Sequence, residues 1–215
     1  MPRTEPPAHS FVDTPHGRCV LVTLDDDADA LARAIAALPE LEQTLARQKT
    51  EHVRREFVAG RTALHLALGD FAPAIGAGRR GAPVMPEGFT GSVSHKRGAA
   101  IAIVAPIDTG WVGVDLEHAA SPRFDISTRI LTAREQQALP ADDGRGRAVT
   151  LRFAIKEAIY KAVDPIVERY VGFTEVELDV GDGFCAVESK LPAAIEATWR
   201  EHAGHWIATA RAIRR

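Results

Sequence analysis

Hydrophobic positions in the first half of the chain follow two different periods. Residues 18–24 form a short run rich in Val and Leu, which predicts a β-strand. Residues 27–38 and 40–68 repeat their apolar side chains at helical spacing and are separated by Pro39, so they predict two helices. The buried face of the second helix is expected to contain Leu41, Leu45, Val53, Phe57, Leu64 and Leu68.

Short apolar runs and one longer helical pattern fill the rest of the chain. Strands are predicted at residues 92–95, 99–105, 111–117, 175–180, 184–187, 194–201 and 205–210. Residues 121–138 predict helical pieces, and residues 147–163 predict a longer helix. Both halves thus combine strands with a long helix. We therefore expect an α+β protein of two similar-sized lobes, joined near residues 106–110.

Glycine and proline concentrate between residues 71 and 91, which predicts a long structured loop. Loops of this length inside a compact domain are usually functional. The loop leads into Gly91-Ser92-Val93-Ser94-His95, with Arg79 and Arg80 before this motif and Lys96 and Arg97 after it. Such a set suits a phosphate site built from hydroxyl, imidazole and backbone N–H groups. The alternative is a structural histidine, and no Walker loop occurs in the sequence.

Composition excludes several classes of protein. The 215 residues are 46% hydrophobic and 26% charged, which excludes collagen-like, low-complexity and wholly disordered chains. No apolar run approaches the length of about 18 residues that a membrane span needs, and the N-terminus shows no export signal. Only Cys19 and Cys185 are present, which fits a reducing compartment. We expect a cytoplasmic protein without a membrane partner.

Charge is slightly negative overall but uneven. The formal net charge of −3 argues against a nucleic-acid partner. Nine cationic residues nevertheless lie close in sequence: Arg47, Lys49, Arg54, Arg55, Arg61, Arg79, Arg80, Lys96 and Arg97. Arg54 and Arg61 are two helical turns apart and share a helix face, which suits a phosphate monoester. The alternative is a solvated basic stripe.

The motif Gly113-Val114-Asp115-Leu116-Glu117 places two carboxylates on one face of a strand, because alternate residues share a face. Val112, Val114 and Leu116 would point into a core. Neighbouring carboxylates repel each other, and Mg²⁺ is a natural partner because it takes one or two protein carboxylates together with phosphate oxygens and water. The alternative is an exposed strand end with two solvated acids.

The predicted helix 147–163 contains Lys156, Glu157 and Lys161. Glu157 and Lys161 have the i,i+4 spacing, with the acid first, that favours an ion pair. One interpretation is a surface ion pair worth about 0.3–0.5 kcal/mol. The other makes Glu157 a metal ligand or proton acceptor and Lys161 a clamp on a phosphate, with Lys156 reaching the same anion from the flank. The spacing alone does not choose between them.

Four motifs follow one another along the chain: the pair Arg54 and Arg61, then residues 91–95, residues 113–117 and residues 156–161. Taken together in this order, they resemble the 4′-phosphopantetheinyl transferases, in particular the monomeric two-lobed class with surfactin-type and enterobactin-type enzymes. The resemblance extends over residues 54–173, and residues 164–173 are similar to the enterobactin-type branch. It implies two similar α+β lobes related by a pseudo-twofold axis. Residues 1–108 would carry the nucleotide-binding residues for coenzyme A, and residues 109–215 the metal-binding and catalytic residues.

The resemblance implies transfer of phosphopantetheine from coenzyme A to a serine of an acyl or peptidyl carrier protein. Asp115 and Glu117 would hold Mg²⁺, Glu157 would be the third ligand or the base, and Lys161 would neutralise the diphosphate. The residues implied to bind coenzyme A are Arg54, Arg61, Arg80, Ser94, His95 and Lys156. Lys96 after the histidine and Ala154 before the Lys-Glu motif depart from the family pattern.

Residues 121–139, called here the docking segment, are expected to bind an acidic carrier protein. Its apolar contacts would come from Ile126, Ile130 and Leu131, and its charge from Arg123, Arg129 and Arg134. The alternative is that the apolar residues simply close the core. Two other functions stay open: a Mg²⁺-dependent phosphohydrolase acting on a nucleotide pyrophosphate, and a non-catalytic nucleotide-binding module.

Overall fold

Two units of similar size make up the chain, Met1–Asp108 and Thr109–Arg215. The computed structural model describes residues 6–24, 26–69, 73–78 and 81–215. Each unit combines an antiparallel sheet with a long helix, which confirms the predicted α+β class. The pseudo-twofold relation between lobes stays a prediction.

The sheet of the first unit has the strand order β1-β2-β6-β5. The strands of this unit are β1 His9–Val12, β2 Arg18–Thr23, β3 Gly76–Ala77, β4 Pro83–Val84, β5 Phe89–Lys96 and β6 Ala99–Pro106. Strands β2 and β6 confirm the prediction, whereas β1 was not predicted. Strand β5 starts at Phe89, before the predicted residue 92, because it pairs with β6 along its whole length, from Phe89 opposite Pro106 to Lys96 opposite Ala99.

Three helices accompany this sheet: α1 Ala28–Ala37, α2 Glu40–Arg47 and α3 Glu51–Leu68. The single helix predicted over residues 40–68 is therefore wrong. The break between α2 and α3 changes the phase of the apolar pattern, so Leu41 and Val53 are exposed while Leu64 is buried. The buried side of α3 packs against Val20, Val22, Ala100 and Ala102 of the sheet.

The sheet of the second unit has the strand order β7-β11-β10-β9-β8. Its strands are β7 Trp111–His118, β8 Val176–Val180, β9 Phe184–Ser189, β10 Ala193–His202 and β11 His205–Arg214. All five were predicted. The pairing of β7 with β11 sets Asp115 opposite Ala208 and Glu117 opposite Trp206, which fixes the side of the sheet that both acids share.

The helices of the second unit are α4 Ser127–Ile130, α5 Ala133–Gln137 and α6 Arg145–Val167. The two short helices confirm the predicted helical pieces, and α6 extends the predicted long helix at both ends. Helix α6 lies directly against β7, where a side chain at Gly113 would collide with the backbone of Ala158. Glycine at this position lets strand and helix approach closely, which brings the acids of β7 beside α6. Neither α6 nor any other helix in the described ranges is long and apolar enough to cross a membrane.

Candidate active site

An ion pair joins strand β7 to helix α6 in the second unit. The Lys161 Nζ donates to Asp115 Oδ1 at 2.7 Å and to the carbonyl oxygen of Val114 at 2.9 Å. Asp115 is only 5% exposed, whereas Lys161 is half-buried. Charge-assisted hydrogen bonds of this kind are stronger than neutral ones. The pair therefore fixes both side chains at the point where Gly113 lets the two elements meet.

Glu157 lies one helical turn before Lys161 on the same side of α6. Burial raises the pKa of Glu157, the nearby Asp115 raises it further, Lys161 lowers it, and Glu117 contributes a smaller increase. Asp115, Lys161 and Glu117 therefore all lie within electrostatic reach of Glu157. The structure thus brings together Asp115, Glu117, Glu157 and Lys161, as the sequence motifs suggested.

The donor set of this cluster fits Mg²⁺. Asp115, Glu117 and Glu157 offer carboxylate oxygens, which are the ligands that this hard cation prefers. Across the described residues, no group of three or more His, Cys, Asp or Glu side chains is arranged to hold a metal ion. Mg²⁺ commonly takes only one or two carboxylates and fills its shell with water and phosphate oxygens. The cluster therefore suits Mg²⁺ that binds together with a diphosphate.

Lys156 does not belong to this cluster, which corrects its predicted role as a ligand of the anion. Its side chain is 0% exposed, and its ammonium group is hydrogen-bonded within the protein, including to Glu135 Oε2 at 2.8 Å. Successive residues on a helix point about 100° apart. Lys156 is therefore turned away from the direction in which Glu157 faces β7.

A pocket of about 180 Å³ opens in the first unit, on the side of the sheet that carries α3. Its lining residues are Lys49, Val53, Glu56, Phe57, Gly60, Arg61, Leu64, Gly81, Val93 and His95. The Arg61 guanidinium lies 4.9 Å from the centre of the Phe57 ring, and Lys49 Nζ lies 5.0 Å from it. Cations and an aromatic ring thus share one apolar pocket.

Arg61 and His95, two residues of the predicted anion-binding set, line this pocket. Arg61 is 4% exposed and donates to the carbonyl oxygen of Gly76 at 2.8 Å. Within the part of the chain that the structure describes, the buried Nε–H of Arg61 has no acceptor. Burial lowers the pKa of Arg61, and Glu42 opposes that effect. The His95 Nδ1 lies 3.3 Å from Glu56 Oε1.

Arg54 lies on the same face of α3 as Arg61, as predicted, but it does not line the pocket. Its guanidinium donates to the carbonyl oxygens of Ala46 at 3.0 Å and Lys49 at 2.8 Å, at the end of α2. Helix ends leave such carbonyls without partners in the helix, so Arg54 acts as a structural cap. Ser94 is buried on the opposite face of β5 from His95, because adjacent residues of a strand alternate. Arg80 lies outside the described residues.

The docking segment agrees with its prediction only in part. Ile130 and Leu131 are buried in a cluster with Leu139 and Val149, and Ile126 packs against it, so these residues close the core. Arg134 is paired with Glu177 at 3.2 Å and with Glu188 at 3.3 Å. Arg123, Phe124 and Arg129 are exposed, as are Asp125 and Thr128 beside them in the sequence.

Three residues were not assigned from the sequence to the pocket or to the outer side of the docking segment: Phe57, Lys49 and Phe124. Phe124 is 71% exposed, with the Arg123 guanidinium 5.4 Å from its ring centre. Phe57 and Arg61 share a face of α3 at i,i+4 spacing, so the pattern held a signal for the aromatic wall of the pocket. Lys49 was one of the nine clustered cations, but the helix break that turns it toward Phe57 was not visible in the sequence.

Two family domains together match most of the chain. Residues 41–105 match the 4′-phosphopantetheinyl transferase N-terminal domain, and residues 111–210 match the 4′-phosphopantetheinyl transferase superfamily. The chain is 34% identical over 148 residues to the 4′-phosphopantetheinyl transferase Npt of Nocardia iowensis, which covers 66% of this chain and 67% of that protein. It is 33% identical over 147 residues to enterobactin synthase component D of Escherichia coli O157:H7, covering 65% of each.

A solved structure is also similar. The holo-(acyl-carrier-protein) synthase of Bacillus anthracis str. Ames, in complex with CoA (3′,5′-ADP), has 23% sequence identity and a TM-score of 0.40, covering 50% of this chain and 97% of that chain. The two sequence relatives above are matched over about two thirds of their own length. From the two matched domains and the 34% identity to Npt, the chain belongs to the 4′-phosphopantetheinyl transferase family.

Proposed function

We propose that this protein transfers the 4′-phosphopantetheine group of coenzyme A to a serine hydroxyl of an acyl or peptidyl carrier protein. The reaction would depend on Mg²⁺ and release adenosine 3′,5′-bisphosphate. The observation that carries the proposal is the 2.7 Å contact of Lys161 with Asp115, one helical turn from Glu157. A base, a cation and metal-binding carboxylates together are what attack of a hydroxyl on a diphosphate needs.

Glu157 is assigned the removal of the serine proton, because a neutral hydroxyl is a weak nucleophile. The serine Oγ forms a bond to the phosphorus that carries pantetheine, and the P–O bond to the second phosphate breaks. The proton moves to Glu157, and the electron pair of the broken bond stays on the departing adenosine 3′,5′-bisphosphate. Burial and Asp115 raise the pKa of Glu157, which brings its basicity closer to neutral pH.

Lys161 is assigned the stabilisation of negative charge that grows on the departing phosphate. Its ammonium group is already held by Asp115 and Val114, so it need not reorganise during the reaction. Asp115 and Glu117 would hold Mg²⁺ together with water and phosphate oxygens. The bound ion would neutralise charge on the diphosphate.

The pocket of the first unit is assigned the nucleotide portion of coenzyme A. Lys49 and Arg61 supply positive charge for a phosphate, and His95 supplies ring nitrogens for hydrogen bonds, while Phe57 and Val93 supply an apolar wall for the base. The buried Nε–H of Arg61 supports this assignment, since in the described structure it lacks an acceptor that a phosphate oxygen can provide. Ser94 and Arg80 are assigned to coenzyme A only by the family resemblance.

The carrier protein is assigned to the outer side of the docking segment. Phe124 offers an exposed aromatic ring with the positive charge of Arg123 beside it, and Arg129 offers a second exposed charge in the same segment. A partner with acidic side chains around an apolar centre complements this surface. The chemistry of the surface does not depend on Ile130 or Leu131, which are buried.

Mass spectrometry of a carrier protein tests the proposed function. The enzyme is incubated with coenzyme A, Mg²⁺ and an unmodified carrier, and the intact mass of the carrier is measured. A gain of one phosphopantetheine group on serine supports transfer. Release of free phosphopantetheine without modification of the carrier would instead support the phosphohydrolase alternative, which the comparisons do not support.

A further inference from the structure

A buried ion pair lies on the side of α6 that the proposed chemistry does not use. Lys156 and Glu135 are both 0% exposed, and Lys156 Nζ lies 2.8 Å from Glu135 Oε2. Lys156 also donates to the carbonyl oxygens of Ile130, Phe173 and Val176, each at 2.8 Å. A lysine ammonium has three hydrogens, so its donors are fully used by partners inside the protein.

Glu135 extends this network along the docking segment. Its Oε2 accepts from the backbone N–H of Thr132 at 2.7 Å, which completes the cap of α5. Its Oε1 accepts from the backbone N–H of Leu178 at 3.3 Å. Through Lys156 and Glu135, helix α6 is therefore attached to the end of α4, the start of α5 and strand β8.

Helix α6 consequently has two polar faces with different partners. Arg152, one turn before Lys156, is also buried, and Glu135 raises its pKa against the lowering effect of burial. Lys156 faces the docking segment, whereas Glu157 and Lys161 face β7. Two adjacent residues, Lys156 and Glu157, thus connect the docking segment and the candidate catalytic cluster through one rigid helix.

The energetics of the pair favour a role in placement over a role in stability. Moving two charges out of water carries a large desolvation penalty. The attraction between the charges at best roughly offsets this penalty. Removal of one partner leaves the other charge buried alone, which is strongly unfavourable. Loss of Lys156 would leave the Glu135 carboxylate without its cation, and the docking segment would have to open to hydrate it.

We propose that Lys156 and Glu135 are positioning residues that hold the docking segment in register with the catalytic helix α6. This inference rests on the proposed function, because it assigns the carrier protein to that segment. The pair touches neither coenzyme A nor the acceptor serine. It acts by fixing where Phe124 and Arg129 stand relative to Glu157, so its loss should affect the carrier protein far more than coenzyme A.

Steady-state kinetics with the Lys156→Met variant tests this inference. We expect the KM for the carrier protein to rise by about 10-fold to 100-fold, since small displacements of a bound partner have effects of this size. The KM for coenzyme A should stay unchanged. Addition of Glu135→Gln should restore part of the lost affinity, because a neutral amide needs no buried counter-ion and its oxygen still accepts from Thr132, although its NH2 group cannot accept from Leu178.

Ile159→Ala is the matched control, because Ile159 is fully buried in the core cluster that α6 forms with the sheet, a cluster that contains no residue of the docking segment. It should lower the midpoint of denaturant unfolding without a selective rise in the carrier KM. The inference would be overturned if Lys156→Met left the KM for the carrier protein unchanged. It would also be overturned if Lys156→Met raised the KM values for the carrier protein and for coenzyme A alike. Should Lys156→Met fail to fold, Glu135→Gln alone carries the same expectation.

Hydrogen exchange separates this inference from the proposed function. In Lys156→Met, the amides of residues 127–139 and Leu178 should exchange faster, while those of β7 and the sheet-facing turns of α6 keep their protection. Uniform loss of protection across the second unit would overturn the inference. If the unchanged enzyme modifies no carrier protein, the proposed function fails, and the exchange pattern still decides whether the pair holds the segment.

Discussion

Lys161 on helix α6 contacts Asp115 on strand β7 through a 2.7 Å charge-assisted hydrogen bond, and Asp115 in turn raises the pKa of Glu157. One aspartate thus touches the cation and perturbs the carboxylate that we assign as the base. Both contacts require helix α6 and strand β7 to lie close together. Gly113 permits this approach, because a side chain there would collide with the backbone of α6.

Replacement of Glu157 by glutamine removes the proposed base and preserves the shape of the side chain. We expect kcat for transfer to the carrier protein to fall by about 10²-fold to 10⁴-fold. Folding should survive, because glutamine is not repelled by Asp115. Circular dichroism and the unfolding midpoint at neutral pH provide the control, and near-normal kcat in the variant would remove Glu157 from its role.

The raised pKa of Glu157 also predicts how stability depends on pH. Burial and Asp115 make the folded protein bind this proton more tightly than the unfolded chain does. The resulting stability is fully present below the unfolded pKa and is lost as pH rises through the folded pKa. In metal-free protein, the unfolding free energy of the wild type relative to Glu157→Gln should decrease across this window. A difference that stays flat with pH would argue against the raised pKa.

Gly113→Ala tests the close approach of β7 and α6. The new methyl group would collide with the backbone of Ala158, so strand and helix must separate. We expect a loss of about 1–3 kcal/mol in the free energy of unfolding and a larger relative loss of kcat. Gly172→Ala is the matched control, since a side chain there meets only Glu175 Oε1 at 3.7 Å. Equal effects of the two substitutions would contradict this account.

Arg61→Lys tests the nucleotide pocket. Lysine keeps the charge but loses the planar group that stacks on Phe57 and donates to Gly76. We expect the KM for coenzyme A to rise by about tenfold or more, since hydrogen bonds to charged groups contribute about 1.5–3 kcal/mol. Arg54→Lys is the matched control, because Arg54 caps α2 and does not line the pocket. It should change the unfolding midpoint and leave the KM for coenzyme A unaltered.

The outer side of the docking segment predicts a selective effect on the carrier protein. Arg129→Glu and Phe124→Ala should each raise the KM for the carrier protein and leave that for coenzyme A unchanged. The effect of Arg129→Glu should shrink at high salt, because exposed charges are screened. Phe184→Ala serves as the control, since Phe184 is exposed on β9, outside this segment. A carrier KM that does not respond would remove both residues from the interface.

Local periodicity explains what the sequence predicted well. Alternation along a strand placed Asp115 and Glu117 on one face of β7, and helical spacing placed Glu157 and Lys161 on one face of α6. Neither inference needs knowledge of tertiary structure. The strands of the second unit followed from the same patterns. The family resemblance is confirmed by the two matched domains.

The errors arose where tertiary contacts decide the environment of a side chain. Lysine is rarely buried, so Lys156 was expected to reach the bound anion, and only the fold shows Glu135 and three carbonyls around it. Arg54 was assigned to the anion site with Arg61 because the helix break before α3, which brings the end of α2 within reach of the Arg54 guanidinium, has no strong sequence signal. The monomeric state, the cytoplasmic location and the absence of a nucleic-acid partner stay predictions.

Parallel transfer assays with the unchanged enzyme and with Glu157→Gln test the central claim most directly. Each is incubated with coenzyme A, Mg²⁺ and an unmodified carrier protein, and the modified carrier and adenosine 3′,5′-bisphosphate are both quantified. The account predicts that the unchanged enzyme forms the two products in equal amounts, with the added group on a serine, and that the variant forms almost neither. Nucleotide release without carrier modification, or equal transfer by both proteins, would contradict it.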